Sequence, residues 1–156
     1  MTSELSVYLD TSIVERYFKR AVESRREKKE IILPKIFEHF IYNPEIKLIT
    51  SVFTFAEIFE HLWKNYKISP SEIAEIAQEF LTRFDIEMIF EFQIKAEILR
   101  WVRKYRIEAK DAIHLSIAKE RSICLLTADA NLLKRGRMIY DFIKSDTDLL
   151  SDSFSS

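Results

Sequence analysis

Apolar positions along the chain follow two different spacings. Leu5, Val7 and Leu9 alternate with polar or amphipathic neighbours and stop at Asp10, the period of a strand. Ile13, Val14, Tyr17, Phe18, Ala21 and Val22 then recur three and four apart, the stripe of a helix. A charged run over residues 23–30 separates this helix from a second at about residues 34–42, whose early proline suits a first helical turn. Asn43-Pro44 marks a turn and residues 46–50 read as the second strand. Ile58, Phe59, Leu62 and Trp63 share the next helical stripe. Ser69-Pro70-Ser71-Glu72 is a helix start with an N-cap serine, a proline at the first position and a glutamate completing a capping box. Residues 86–90 form a short third strand, and Ile94, Ile98, Trp101, Val102 and Tyr105 a further helix. An amphipathic run over residues 112–119 leads into Ile123-Cys124-Leu125-Leu126, apolar throughout, as a strand buried on both faces must be. A short helix at residues 130–134, a last strand at 137–143 and a frayed Ser- and Asp-rich tail complete the reading. Strands alternating with helices, often in pairs, predict one α/β domain over residues 1–144 with a mainly parallel sheet covered on both faces, and a flexible tail over 145–156.

Composition narrows the function more than the fold. A chain of 156 residues with 47% hydrophobic and 31% charged positions is globular and long enough to bury a substantial core. No apolar run approaches the roughly 18 residues of a membrane span, and the first ten residues lack a basic segment followed by an apolar core. Cytoplasmic residence without membrane attachment is therefore expected. Cys124 is the single cysteine, which excludes an internal disulfide and a cysteine-rich zinc site. Gly136 is the single glycine, so no glycine-rich phosphate loop is present. The net charge of -1 argues against a uniformly basic nucleic-acid binder, yet between Glu15 and Lys29 seven basic residues stand against three acidic ones.

Four acids remain, and each has an ordinary explanation. Glu57 could complete a capping box with Thr54, Asp111 and Asp129 could stabilise helix starts, and Asp10 could end a strand in a turn. Their joint placement asks for more. Asp10 and Asp129 follow apolar strands, while Glu57 and Asp111 sit at helix starts. In a parallel sheet these places lie along the carboxyl edge, where such folds bind ligands. Four carboxylates in one cleft repel unless cations neutralise them, and an all-oxygen set suits Mg²⁺ or Mn²⁺. Such ions commonly act on phosphate esters, so the residues point to metal-dependent phosphodiester hydrolysis.

Val7-Tyr8-Leu9-Asp10-Thr11-Ser12, Glu57 after Thr50-Ser51, Lys110-Asp111-Ala112-Ile113-His114-Leu115 and Leu126-Thr127-Ala128-Asp129 resemble the four acidic motifs of PIN-domain nucleases. The likeness is greatest to the VapC-like toxins of toxin–antitoxin pairs and spans Val7 to about Ile143. It implies a three-layer α/β/α sandwich and one or two Mg²⁺ or Mn²⁺ ions held by Asp10, Glu57, Asp111 and Asp129. It also implies endoribonuclease activity, an RNA substrate, an antitoxin partner and a homodimer. Thr11 or Ser12 would then orient Asp10, and Thr127 would help place Asp129. Many relatives carry a further acid where this chain has Asn131, which adds an oxygen donor but no charge. Arg16, Lys134, Arg135 and Arg137 are the candidate phosphate contacts.

Other residues carry less. His114, three residues after Asp111, reads first as a helix histidine bonded to backbone or water. His61 is four residues from Glu57, a zinc-binding spacing, but the family has no such ligand. Phe59, Trp63 and Trp101 read first as core. A haloacid-dehalogenase-like phosphohydrolase would also end a first strand on an aspartate, but it needs an acid where Ser12 stands. The remaining alternative is a non-catalytic RNA- or protein-binding module on the same scaffold.

Overall fold

In the computed structural model, which describes residues 5–152, five strands form one sheet in the order β3-β2-β1-β4-β5, every pair parallel. They are β1 (Ser6–Leu9), β2 (Lys47–Ser51), β3 (Glu87–Ile89), β4 (Cys124–Leu126) and β5 (Ile143–Lys144). Helices α1 (Thr11–Glu27) and α2 (Lys35–Tyr42) connect β1 to β2, α3 (Val52–Tyr66) and α4 (Pro70–Arg83) connect β2 to β3, and α5 (Ala96–Tyr105) and α6 (Ala109–Arg121) connect β3 to β4. Helix α7 (Ala130–Gly136) joins β4 to β5, and α8 (Asp146–Asp152) follows β5.

The two faces of the pleat carry separate cores, because successive strand residues point to opposite sides. Val7, Leu9, Leu48, Cys124 and Leu126 meet the buried stripes of α1 to α4 together with Leu149 of α8. Tyr8, Ile49, Ile89, Leu125 and Ile143 meet α5, α6 and α7. The alternation predicts this parallel sheet covered on both faces, and the family resemblance implies its three-layer α/β/α form. The first core is aromatic: Phe80 packs on Tyr17, Phe18, Phe37, Phe55 and Phe84 with ring centroids 4.8–6.3 Å apart. The α1 stripe is the expected one, Ile13, Val14, Tyr17, Phe18, Ala21 and Val22 all being buried. In α3 the buried face is Thr54, Phe55, Ile58 and Leu62, and Phe59 and Trp63 turn outward, contrary to expectation. Phe55 decides this, since its contacts with Phe18 and Phe80 fix the rotation of the helix.

Three boundaries differ from the sequence pattern. The charged run after Val22 does not break the helix: α1 continues to Glu27 and ends on Lys28 in the left-handed region. The expected strand over 137–143 is a turn after α7 followed by the two-residue β5. Residues 146–152 of the expected frayed tail form helix α8, held by the buried Leu149 and a cap in which Ser145 and Asp148 exchange side-chain-to-backbone hydrogen bonds. Among the described residues, no helix is long and apolar enough to cross a membrane.

Candidate active site

The strand order reverses direction between β1 and β4, and a crevice opens at the carboxyl ends of strands at such a point. Asp10 lies there as the N-cap of α1, and its backbone N–H continues the pairing by donating to the Leu126 carbonyl at 3.2 Å. Asp129 is the N-cap of α7, its Oδ1 accepting from the N–H groups of Asn131 and Leu132 at 2.8 and 3.1 Å. Helix α6 ends where β4 begins, so its start, with Asp111 in the first turn, returns to the same edge. Glu57 arrives from the second turn of α3. The four acids thus share one edge. Their capping roles are real for Asp10 and Asp129, whereas Glu57 caps nothing: α3 starts at Val52, too early for a capping box with Thr54.

Asp10 is buried to 2% exposure and held from three sides. The Ser12 hydroxyl donates to Oδ1 at 2.6 Å, the Ile13 N–H to the same oxygen at 3.2 Å, and the Thr127 hydroxyl to Oδ2 at 2.5 Å. Burial raises its pKa, and His114, Ser12, Thr127 and the Ile13 amide pull it back in part. Ser12, not Thr11, therefore orients Asp10. Thr127 serves both aspartates, donating to Asp10 and accepting from the Asp129 N–H at 3.0 Å.

Asp111 is the electrostatic exception. Burial, then the charges of Asp129 and Asp10, push its carboxyl up to about 7. For Glu57 burial acts upward but is outweighed by a hydrogen bond and charge from His114, the Thr11 hydroxyl and Lys110, leaving it below the ordinary glutamate range. Negative charge is thus crowded around Asp10 and Asp111, only partly offset there by His114, and is outweighed at Glu57 by its hydrogen bonds and neighbouring positive charge.

The side chains do not form a ready-made cage. Among the described residues, no three His, Cys, Asp or Glu side chains are gathered into a group that could hold a metal ion. This corrects the expectation of four carboxylates converging in one cleft. Three of the acids are engaged locally instead: Asp129 accepts from the α7 amides, Glu57 bonds Thr11 and His114, and Asp10 accepts from Ser12 and Thr127.

A match to the PIN domain model runs over residues 7–137, from the first residues of β1 to the turn after α7. This chain belongs to the PIN domain family. PIN domains are generally nucleases and typically use divalent metals. Two solved structures share the fold. PAE2754 from Pyrobaculum aerophilum is 18% identical with a TM-score of 0.62, covering 100% of both chains. VapBC-1 from nontypeable Haemophilus influenzae is 16% identical with a TM-score of 0.57, covering 92% of this chain and 99% of that one. Compared with curated proteins, the chain matches none.

The remaining sequence candidates in this PIN domain are dispersed. Asn131 reaches the site through its backbone N–H. Arg16 pairs with Asp146 at 2.6 Å and Arg137 with Asp148 at 3.0 Å, so both contact α8. Arg135 donates to the Arg106 carbonyl at 2.8 Å, and Lys134 is exposed. His61 pairs with Glu15 at 2.9 Å, away from Glu57.

Sequence reasoning missed His114. It is 1% exposed and bonded to side chains, not to backbone or water as expected. Its Nε2 lies 2.8 Å from Glu57 Oε1 and 3.0 Å from Thr11 Oγ1, and its Nδ1 lies 2.7 Å from the Tyr8 hydroxyl. Tyr8 continues to Ser51 at 2.7 Å. The spacing of His114 from Asp111 was the available signal. Its partners lie 57 to 106 residues away in the chain and left none.

Proposed function

We propose that this PIN domain is a divalent-metal-dependent endoribonuclease and the toxin of a toxin–antitoxin pair. The observation that carries the proposal is the crowded buried charge at the switch-point edge: Asp111, whose carboxyl is pushed up to about 7 by burial and then by the charges of Asp129 and Asp10, is a group awaiting a cation. The donor set fits. Asp10, Asp111, Asp129 and Glu57 offer only hard oxygens. The three hydrogen bonds on Asp10 leave acceptor capacity on a carboxylate with about four lone-pair sites. Rotation about side-chain torsions would have to bring the acids together around an ion.

Asp10, Asp111 and Asp129 would hold the ion, with Glu57 at its flank. When bound, Mg²⁺ or Mn²⁺ supplies Lewis-acid polarisation of a phosphoryl oxygen and neutralises developing charge. The protein's own part is orientation. Ser12 and Thr127 fix both oxygens of Asp10, and the α7 amides fix one oxygen of Asp129. Lys134, Arg135, Arg16 and Arg137 would draw in the phosphate backbone. Similarity to VapBC-1 supports a protein partner, and a homodimer is the assembly expected, to be read by light scattering of the purified chain.

Cleavage of single-stranded RNA in Mn²⁺ or Mg²⁺, compared with the same assay in chelator, tests the activity. Asp10→Asn keeps shape and removes charge, so cleavage should fall by orders of magnitude while RNA binding persists. Cleavage at parental rate by Asp10→Asn would remove Asp10 from the reaction and put the non-catalytic binding module first.

A further inference from the structure

Behind Glu57 a line of buried polar groups crosses the sheet: Ser51 at the end of β2, Tyr8 in β1 and His114 in α6. Such groups are costly to bury unless every donor and acceptor is matched, and these are. The end of the line sets its direction. A carboxylate can only accept, so for a neutral ring His114 Nε2–H donates to Glu57 Oε1. Nδ1 then accepts from the Tyr8 hydroxyl, whose oxygen accepts from Ser51. The ring is also clamped by packing, with Phe53 at 5.1 Å and Tyr8 at 5.6 Å between centroids. Thr11 donates to the same Oε1 at 2.7 Å. Among the described residues, the other carboxylate oxygen, Oε2, has no hydrogen-bond partner.

We propose that His114 is a positioning residue for this site: with Thr11 it fixes Oε1 of Glu57 so that Oε2 is left as the oxygen available to a divalent cation, while Tyr8 and Ser51 hold the imidazole from behind. The proposal rests on the metal reading above and deepens it. His114 itself is too buried to touch a substrate, so it acts only through Glu57. Outer groups that orient a metal-binding side chain typically change metal affinity about 10–100-fold when removed.

Two substitutions divide the ring in half. His114→Gln puts an amide nitrogen near the place of Nε2 and can keep the bond to Glu57. His114→Asn can put its amide oxygen near the place of Nδ1, keeping an acceptor for the Tyr8 hydroxyl and losing the bond to Glu57. Mn²⁺ is titrated calorimetrically into the full chain, with folding checked by circular dichroism and Asp10→Asn as the reference for loss of the site. We expect His114→Gln to stay within about 3-fold of the parent and His114→Asn to bind Mn²⁺ about 10–100-fold more weakly. In a Glu57→Gln background His114→Asn should cost nothing further, because its effect runs through that carboxylate. Should His114→Asn not fold, Tyr8→Phe decides: a loss of about 3-fold or more that vanishes in Glu57→Gln supports the proposal, and no loss overturns it. Equal affinity of the Gln and Asn variants, or a loss that persists in full without the Glu57 carboxylate, also overturns it. If the parent binds no Mn²⁺, or Asp10→Asn binds as well as the parent, the metal reading itself falls and carries this proposal with it.

Discussion

At the scale of single residues the site is a problem in neutralising charge. Asp111 keeps its proton to about pH 7 in the folded metal-free protein, against an ordinary value near 3.8. The folded state therefore binds more protons than the unfolded state between these values, and stability falls as pH rises through them. The penalty is fully present above pH 7 and absent below about pH 4, with an upper limit on the order of 4 kcal/mol. Asp111→Asn should raise the melting temperature in chelator at pH 8, and that gain should fade towards pH 4. A gain that is the same at both pH values would mean the carboxyl is not repelled as described. The same proton must leave when a cation binds, so proton release near pH 6 on adding Mn²⁺, read in buffers of different ionisation enthalpy, is the companion measurement.

At the scale of elements, nearly all helix ends here are built without glycine. Lys28, Lys67, Arg106 and Ser122 close α1, α3, α5 and α6 in the left-handed region, with φ between 50° and 56°. That conformation costs a residue with a Cβ about 1–2 kcal/mol, partly offset because glycine loses more chain entropy on folding. Lys67→Gly should thus stabilise the protein by roughly 0.5–1 kcal/mol, or about 1–4 °C in melting temperature. A lower melting temperature would show that the Lys67 side chain contributes more than its backbone costs. These caps also explain why the stop of α1 was illegible. A lysine in a charged run gives no signal, whereas the Ser69-Pro70 start of α4 fell where the capping pattern put it. The α7–β5 turn was misread for a related reason, Ile139 and Tyr140 packing beside the second core from a turn and not from a strand.

At the scale of the molecule, a net charge of -1 conceals an arrangement. Helix α8 starts directly after β5, at the same edge as the acids, and its aspartates are paired with basic side chains: Asp146 with Arg16, Asp148 with Arg137, Asp152 with Lys144. Two of those cations, Arg16 and Arg137, are among the four the sequence offered to RNA. Such half-exposed pairs contribute little to stability, about 0–1 kcal/mol, but they compete with phosphates for the same charges. Asp146→Asn, which leaves the Ser145–Asp148 cap in place, should tighten RNA binding in chelator by about 2–5-fold at low salt and steepen its salt dependence. Unchanged affinity and slope would exclude Arg16 from the path of the RNA.

What the sequence determined by itself was whatever depends on local periodicity and composition. The two spacings of apolar residues identify strands and helices because each period buries one face, and the unbroken apolar run at β4 marks a strand covered on both sides. The placement of three acids was legible for the same reason: Asp10, Asp111 and Asp129 stand at or beside joints between a strand or loop and a helix, which a parallel sheet brings to one edge, whereas Glu57 lies in the second turn of α3. Tertiary structure alone decided how each acid is held, because that depends on partners far away in the chain. Thr127 reaches back 117 residues to Asp10, Glu57 finds His114 and Thr11 instead of a cap, and α8 takes up Arg16. Burial makes the bonds of Asp10 and His114 compulsory, since a polar group removed from water must find a partner, and only the folded chain determines which partner is within reach.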